Sequence, residues 1–195
     1  MHGHSTVTSM GQMLLVLGFI LVFGYFTAAG ASTFERDDSD VKGATLAQFS
    51  FLFTGAIATA LLSFRQVLHP PNGIAAAILL LGSVALYEWA RRTIRERRFH
   101  IAWSGEVPEA VCASGPYAFV RHPIYLSYVL AFLAVPIAFP RLLTLAILLF
   151  NLALYVHAAL DDERSIAVSD LREAYAAYRS RTGMFVPRLR RSSGA

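Results

Sequence analysis

The sequence is poor in charge and in cysteine, and both shortages narrow the class of protein. Asp, Glu, Lys and Arg make up 15% of the 195 residues, whereas soluble domains average about 25%. Hydrophobic residues account for 55%, so an ordinary soluble domain is excluded. Cys112 is the single cysteine, which excludes a disulfide framework and a zinc site built from cysteines. The glycine-rich fingerprint of dinucleotide-binding Rossmann domains is also missing.

Five apolar runs fill most of the chain. They lie at about 11–31, 46–64, 73–90, 123–139 and 142–160, and most are near the roughly 20 residues needed to cross a bilayer. We therefore predict an all-α integral membrane protein with about five transmembrane helices. The break at Pro140 predicts that the fourth and fifth form a hairpin.

The first apolar run has two interpretations, a signal peptide or a membrane helix. Ala29-Gly30-Ala31 resembles a signal-peptide cleavage site, but no Lys or Arg precedes the run and it exceeds a typical signal core. We expect it to be retained as a membrane helix.

The basic residues predict an orientation. In a five-span arrangement only Arg65 and Arg141 fall on one side, and the other 15 of the 17 Lys and Arg residues fall on the opposite side. The positive-inside rule then places the N-terminus outside and the C-terminus in the cytoplasm. Tyr87 and Trp89 suit the membrane interface. An Ala-, Arg- and Leu-rich composition favours a bacterial inner membrane.

The net charge of +4 raises the question of a nucleic-acid partner. The basic residues cluster beside the apolar runs, where anionic lipid headgroups attract them. We therefore expect membrane lipids as partners, and no nucleic acid.

The segment 115–125 is the most informative part of the chain. It reads G-P-Y-A-F-V-R-H-P-I-Y and combines two tyrosines with Arg121 and His122 where the fourth apolar run begins. A turn is predicted at its start, and Pro123 suits the first residue of a helix. Polar groups at a membrane boundary cost free energy unless something polar binds them. Two interpretations stay open, a loop-to-helix junction with Arg121 snorkelling to water, or a binding site.

The fifth run carries unusual polarity, at Asn151, Tyr155, His157, Asp161, Asp162 and Glu163. At 100° per residue, Asn151, Tyr155 and Asp162 fall within about 40° of one another. His157 and Asp161 are spaced i, i+4 on a different face, where they can pair. For Asn151 a hydrogen bond to a neighbouring helix is the simpler interpretation, whereas the acidic cluster favours a binding role.

The chain after residue 164 is polar, with one apolar face. Leu171, Ala174, Tyr175 and Tyr178 are placed at helical spacing. We predict a cytoplasmic amphipathic helix whose tyrosines pack against the membrane or the domain and take no part in catalysis.

These features together resemble a known family. The motif at 115–125, the predicted hairpin, the acidic residues and the segment 175–187, Y-A-A-Y-R-S-R-T-G-M-F-V-P, resemble the isoprenylcysteine carboxyl methyltransferase family. That family belongs to a wider group that includes membrane phospholipid methyltransferases. The likeness covers about residues 110–188. It implies a C-terminal region, 99–195, that holds S-adenosylmethionine near the cytoplasmic face, after an N-terminal three-helix membrane region, 1–98, within one structural domain.

The resemblance also implies a site. The implied cofactor-binding residues, to which we add Tyr155, are Gly115, Pro116, Tyr117, Val120, Arg121, His122, Pro123, Tyr125, Tyr155, Asp162 and Glu163. Arg121, His122 and Glu163 are the implied catalytic residues, and no metal is expected. Glu163 matches the second acid of the family's Glu-Glu pair, and Asp162 departs from the first. Arg121 and His122 can hold the cofactor's carboxylate, and Glu163 its ammonium or ribose hydroxyls.

The implied activity is methylation of a lipidic or small hydrophobic acceptor. The carboxylate of an isoprenylcysteine-like or prenylated substrate is favoured, with Arg121 orienting it. An amine or thiol acceptor would need a base, for which His122 or Glu163 is the candidate. Two other functions stay open, an NADPH-dependent membrane reductase of the sterol-reductase type and a non-enzymatic membrane protein.

Overall fold

The computed structural model describes residues 3–33, 70–96 and 110–188, and the regular elements in these segments are helices. The α-helices are α1 (Gly3–Thr33), α2 (Pro70–Glu96), α3 (Pro123–Ala138), α4 (Leu142–Ala167) and α5 (Arg172–Arg181). A short 3-10 helix, Gly115–Ala118, precedes α3. The predicted second span at 46–64 lies outside the described residues, so the number of spans stays a prediction.

Three helices are long and apolar enough to cross a membrane. The candidate spans are Met10–Ala29, Pro71–Arg95 and Leu142–Ala167. Large hydrophobic side chains line their outer faces, for example Leu14, Leu17 and Leu21 along α1. Because this spacing keeps them on one face of the helix, they form an apolar stripe that suits lipid. The chain is therefore a helical membrane protein.

The helix at the fourth apolar run matches the predicted run closely, but it is short for a membrane span. α3 has 16 residues, which at about 1.5 Å per residue is less than the roughly 30 Å of a hydrocarbon core. Most of its residues are buried, and Phe132 and Val135 are almost inaccessible. The apolar surface of α3 thus packs largely on other helices, and the fourth crossing stays a prediction.

A buried threonine shapes the break between α3 and α4. The Thr144 hydroxyl lies 2.7 Å from the Phe139 carbonyl oxygen and accepts a hydrogen bond of 3.1 Å from the Arg141 backbone N–H. These contacts satisfy backbone groups that the helix ends leave free. The arrangement of the two helices across a bilayer stays a prediction.

Aromatic rings join the first four helices in one core. Phe26 of α1 lies 5.2 Å from Tyr87 of α2 and 5.1 Å from Tyr128 of α3, measured between ring centroids. Tyr128 in turn lies 5.4 Å from Tyr155 of α4. The sequence predicts Tyr87 at the membrane interface, but this is wrong, because its side chain is 1% exposed within the core. Trp89 is 49% exposed.

α2 differs slightly from its prediction. It begins at Pro70, before the apolar run that starts at residue 73, because a proline in the first helical turn loses no helical hydrogen bond. It continues beyond that run to Glu96. α2 contacts both α3 and the 3-10 helix, across the predicted division at residue 98, and that division stays a prediction.

Candidate functional site

The 3-10 helix sets the direction of the chain before α3. Gly115 has a φ of 57°, a left-handed conformation that costs residues with a Cβ atom about 1–2 kcal/mol. A Cβ atom there would also lie 2.5 Å from Thr93 Oγ1 and 3.3 Å from Trp89 Nε1 on α2. Glycine therefore allows the turn to pack directly on α2, and the predicted turn is confirmed.

Arg121 and His122 occupy the entrance to α3. The helix begins at Pro123, as predicted, and the Leu126 N–H donates to the His122 carbonyl at 2.9 Å. The two side chains are thus attached to the rigid end of a buried helix.

A second segment, residues 182–184, holds the backbone of these two residues. The Arg121 N–H donates to the Gly183 carbonyl at 2.9 Å and the His122 N–H to the Met184 carbonyl at 3.3 Å. A Cβ atom at Gly183 would lie 1.7 Å from the Val186 carbonyl oxygen. The close approach therefore requires glycine at this position.

A buried ion pair joins the motif to α4. Arg121 Nε lies 2.7 Å from Glu163 Oε1, and the two side chains are 6% and 3% exposed. Arg121 Nη1 also donates to the Thr182 carbonyl at 2.5 Å. The interpretation in which Arg121 snorkels to water is therefore wrong, because its guanidinium is bonded inside the protein.

His122 lies between two successive carboxylates of α4. Its Nε2 is 3.3 Å from Glu163 Oε1, and its Nδ1 is 4.0 Å from Asp162 Oδ2. The Tyr125 hydroxyl donates to the same Asp162 oxygen at 2.9 Å. The imidazole is nearly parallel to the Tyr125 ring, with centroids 5.5 Å apart. Both the polar contacts and the stacking orient the imidazole.

Tyr155 lies behind Tyr125. Their rings stack with centroids 5.8 Å apart, and Tyr155 is fully buried. Asn151 is buried on the same face and donates to the Ile147 carbonyl at 2.9 Å. The inward orientation of this face is as expected from the sequence. The Asn151 bond lies within α4, so the expected hydrogen bond from Asn151 to another helix stays a prediction.

The predicted ion pair on the other face of α4 is confirmed. His157 Nδ1 lies 2.8 Å from Asp161 Oδ2, on side chains that are largely exposed. This pair is separate from the buried carboxylates that follow it on α4.

α5 packs its tyrosines against the motif. Tyr175 and Tyr178 are buried, whereas Ala174 is exposed, so the two tyrosines are the part of the predicted apolar face that packs on the protein. The Tyr178 hydroxyl donates to the Tyr117 carbonyl at 2.7 Å. Burial raises the pKa of Tyr178 to about 12, and burial together with the Glu163 charge also raises the pKa of Tyr175. Both phenols are therefore neutral near pH 7.

Arg179 is a contact that the sequence interpretation missed. Its Nε lies 3.4 Å from Glu163 Oε2, and its side chain is 56% exposed. Helical spacing identifies the neighbouring tyrosines as buried, but it cannot indicate which residue of another helix a long arginine side chain reaches.

Five predicted site residues come together in what we call the motif cluster: Arg121, His122, Tyr125, Asp162 and Glu163. The remaining predicted residues surround it through backbone and packing, and these are Gly115, Pro116, Tyr117, Val120, Pro123 and Tyr155. Within the described segments, no group of three or more His, Cys, Asp and Glu is arranged to hold a metal ion.

Comparisons with known proteins match the part of the chain that contains this cluster. Methanethiol S-methyltransferase from a Pseudomonas species, strain GM41, is 33% identical over 95 residues, which are 48% of this chain and 35% of that protein. The similarity thus spans about a third of the relative's length. The family model described as phospholipid methyltransferase matches residues 72–168, about half of the chain. Because this match runs from α2 to the end of α4 and includes both members of the Arg121–Glu163 pair, the chain belongs to the phospholipid methyltransferase family.

Proposed function

We propose that the chain is an integral membrane methyltransferase that takes its methyl group from S-adenosylmethionine and methylates a small hydrophobic or lipidic acceptor. The motif cluster is the observation that carries this proposal. It places a buried ion pair, an imidazole and a second carboxylate at the end of an apolar helix. Ionisable groups in such a position are costly, and they usually mark a functional site.

The chemistry of the motif cluster fits the groups of S-adenosylmethionine. Asp162, whose side chain is 17% exposed, supplies a carboxylate acceptor for an ammonium or for ribose hydroxyls, and the buried Glu163 supports the site through its contacts with Arg121 and His122. Tyr125 and Phe185 place aromatic rings on two sides of His122, and such rings suit adenine or a sulfonium cation. We propose Asp162, Tyr125 and Phe185 as direct contacts of the cofactor.

The residues around the cluster shape its walls. Tyr155 supports the Tyr125 ring from behind. The turn at Gly115, Pro116 and Tyr117 fixes the path of the chain that leads to Val120 and Pro123. We propose that these residues contribute to cofactor binding through shape.

When bound, S-adenosylmethionine would supply a methyl group attached to a cationic sulfur. The bond from sulfur to the methyl carbon would break as the acceptor bonds to that carbon, and the sulfur would leave as a neutral thioether. The task of the protein is then to align the two reactants and exclude water. The burial of the Arg121–Glu163 pair and the stacked tyrosines provide a rigid, largely dry surface for that alignment.

The contacts that the cluster residues already make bear on the identity of the acceptor. The sequence favours an isoprenylcysteine-like carboxylate oriented by Arg121, but Arg121 already donates to Glu163 and to the Thr182 carbonyl. A thiol must lose a proton, and the His122 imidazole can accept it and release it to solvent. The Pseudomonas relative is named for a thiol acceptor. We therefore favour a small thiol over a carboxylate.

Equilibrium binding to the detergent-purified chain tests the cofactor. We expect saturable binding of S-adenosylmethionine that Glu163→Gln and His122→Ala each weaken about tenfold or more, since each removes a charge-assisted contact or its support. Asp161→Asn is the matched control, because Asp161 directly precedes Asp162 and Glu163 on α4 but pairs with His157 on the exposed side of the helix.

The outcomes separate the competing functions. Binding of NADPH without S-adenosylmethionine would support the reductase instead. Binding of neither ligand would contradict both enzyme functions. If S-adenosylmethionine binds, methyl transfer to a small alkyl thiol and to the carboxylate of an S-prenylated cysteine derivative can be compared directly, and faster transfer to the carboxylate would contradict the thiol assignment.

A further inference from the structure

We propose that Arg179 of α5, rather than Arg121, binds the amino-acid carboxylate of S-adenosylmethionine. This inference rests on the proposed function. It concerns a residue outside the implied set of cofactor contacts and outside the segment that the family model matches.

Arg121 is already committed inside the protein. Its Nε is bonded to Glu163 and its Nη1 to the Thr182 carbonyl, and only 6% of its side chain is exposed. A ligand carboxylate would have to displace Glu163 from a buried pair, which leaves a buried carboxylate uncompensated and costs several kcal/mol. Arg121 therefore serves as the internal counter-ion of Glu163.

Arg179 offers the same chemistry in an accessible form. It contacts the second oxygen of Glu163 through Nε at 3.4 Å, and its side chain is 56% exposed. Glu163 is only 3% exposed, but it keeps its bond of 2.7 Å to Arg121 when the solvent-exposed Arg179 turns to a ligand. Exchange of the longer contact for a ligand carboxylate therefore leaves Glu163 paired. The planar guanidinium can bind a carboxylate through two parallel hydrogen bonds.

The charges around Glu163 fit both ends of an amino acid. The Arg121–Glu163 pair is neutral as a unit, so Arg179 adds a positive charge beside it and Asp162 a negative one. The ammonium and carboxylate of S-adenosylmethionine are attached to one carbon atom. The acidic residues of α4 therefore suit the ammonium, and Arg179, which contacts Glu163, suits the carboxylate.

A structural role for Arg179 is the competing explanation. Arg179 could act only by holding Glu163, in which case its loss would weaken every ligand that Glu163 contacts. Decarboxylated S-adenosylmethionine keeps the sulfonium, the amine and the adenosine and lacks only the carboxylate. A comparison of the two ligands therefore separates direct binding from positioning.

The test is calorimetric binding of both ligands to the full chain in detergent, with Arg179→Gln, Arg179→Lys and the matched control Arg181→Gln. Arg181 is exposed on the same helix, but its Nε donates to the Ala177 carbonyl at 3.2 Å. We expect Arg179→Gln to weaken S-adenosylmethionine about tenfold or more and the decarboxylated ligand less than about twofold. Arg179→Lys should retain part of the affinity, and Arg181→Gln should bind like the wild type.

Equal weakening of both ligands by Arg179→Gln would assign Arg179 to positioning Glu163 and overturn the inference. Unchanged binding of both ligands would also overturn it, while leaving the proposed function intact. If the wild-type chain binds neither ligand, the proposed function itself fails and this inference fails with it.

Discussion

Two arginines contact the same carboxylate in different surroundings. Arg121 is buried and satisfied by Glu163 and a backbone carbonyl, whereas Arg179 is exposed and touches Glu163 at a longer distance. Because desolvation strengthens the interaction of charges and raises the cost of separating them, the first pair is structural. The second is available to a ligand.

The stability of the chain should depend strongly on the buried pair. We expect Arg121→Gln to lower the free energy of unfolding by about 3 kcal/mol, because Glu163 would remain buried without its closest and only buried counter-ion among the described residues. Arg164→Gln is the control, since Arg164 pairs with Asp161 at 2.8 Å on an exposed surface, and such pairs contribute about 1 kcal/mol or less. Thermal and denaturant unfolding in detergent would measure both. Equal effects of the two substitutions would contradict the structural role of Arg121.

At the scale of elements, the end of α5 completes the site. Tyr178 donates to the Tyr117 carbonyl, and residues 182–184 accept hydrogen bonds from the backbone of Arg121 and His122. α3, the two residues before it and α4 supply the side chains of the motif cluster, but this later segment orients the backbone of Arg121 and His122.

A methyl group at Gly183 should therefore disturb the motif cluster, although Gly183 is not one of its residues. We expect Gly183→Ala to weaken S-adenosylmethionine binding about tenfold or more and to lower stability, because the new Cβ atom cannot fit beside the Val186 carbonyl without moving the backbone. Binding and thermal unfolding would be measured on the same preparation.

Gly82→Ala is the matched control for this substitution. A Cβ atom at Gly82, within α2, would meet nothing within 4 Å. Alanine there should leave binding unchanged and stabilise the helix by up to about 1 kcal/mol. If the two variants behave alike, residues 182–184 do not orient the motif.

At the scale of the whole molecule, an aromatic core holds together helices whose outer faces suit lipid. Phe26, Tyr87, Tyr128 and Tyr155 connect α1 to α4 through ring contacts. α3 is short and buried within this arrangement. The motif cluster thus lies where a buried helix begins and an apolar helix ends, a position that suits a hydrophobic acceptor arriving from lipid.

The predicted orientation can be tested with single cysteines. In a Cys112→Ala background, we expect Ser5→Cys to react with a membrane-impermeant maleimide on intact cells, because the sorting of basic residues places the N-terminus outside. Ser193→Cys should react only after the membrane is permeabilised. The reverse pattern of labelling would contradict the positive-inside assignment and place the C-terminal half outside.

Local patterns were enough to predict several features of the chain. The apolar runs indicated the long helices, Pro123 indicated the start of α3, and the spacing of His157 and Asp161 indicated their pairing. These predictions succeed because helix formation and i, i+4 contacts depend on residues close together in the sequence. The motif likewise indicated where the polar residues of a site would gather.

Only the tertiary structure showed how those residues are connected. Through its resemblance to a known family, the sequence pointed to Arg121 and Glu163 as site residues, but it implied for Arg121 a ligand-binding role that its burial beside Glu163 does not favour. It also placed Tyr87 at an interface and did not assign Arg179 to the site. Each of these outcomes depends on which segments, distant in the sequence, pack against one another. That packing determines whether a side chain is buried, which charge it pairs with and whether it is accessible to a ligand. The sequence thus determined the helices and the chemical groups of this protein, and the packing of the helices determined which of those groups are structural and which remain accessible.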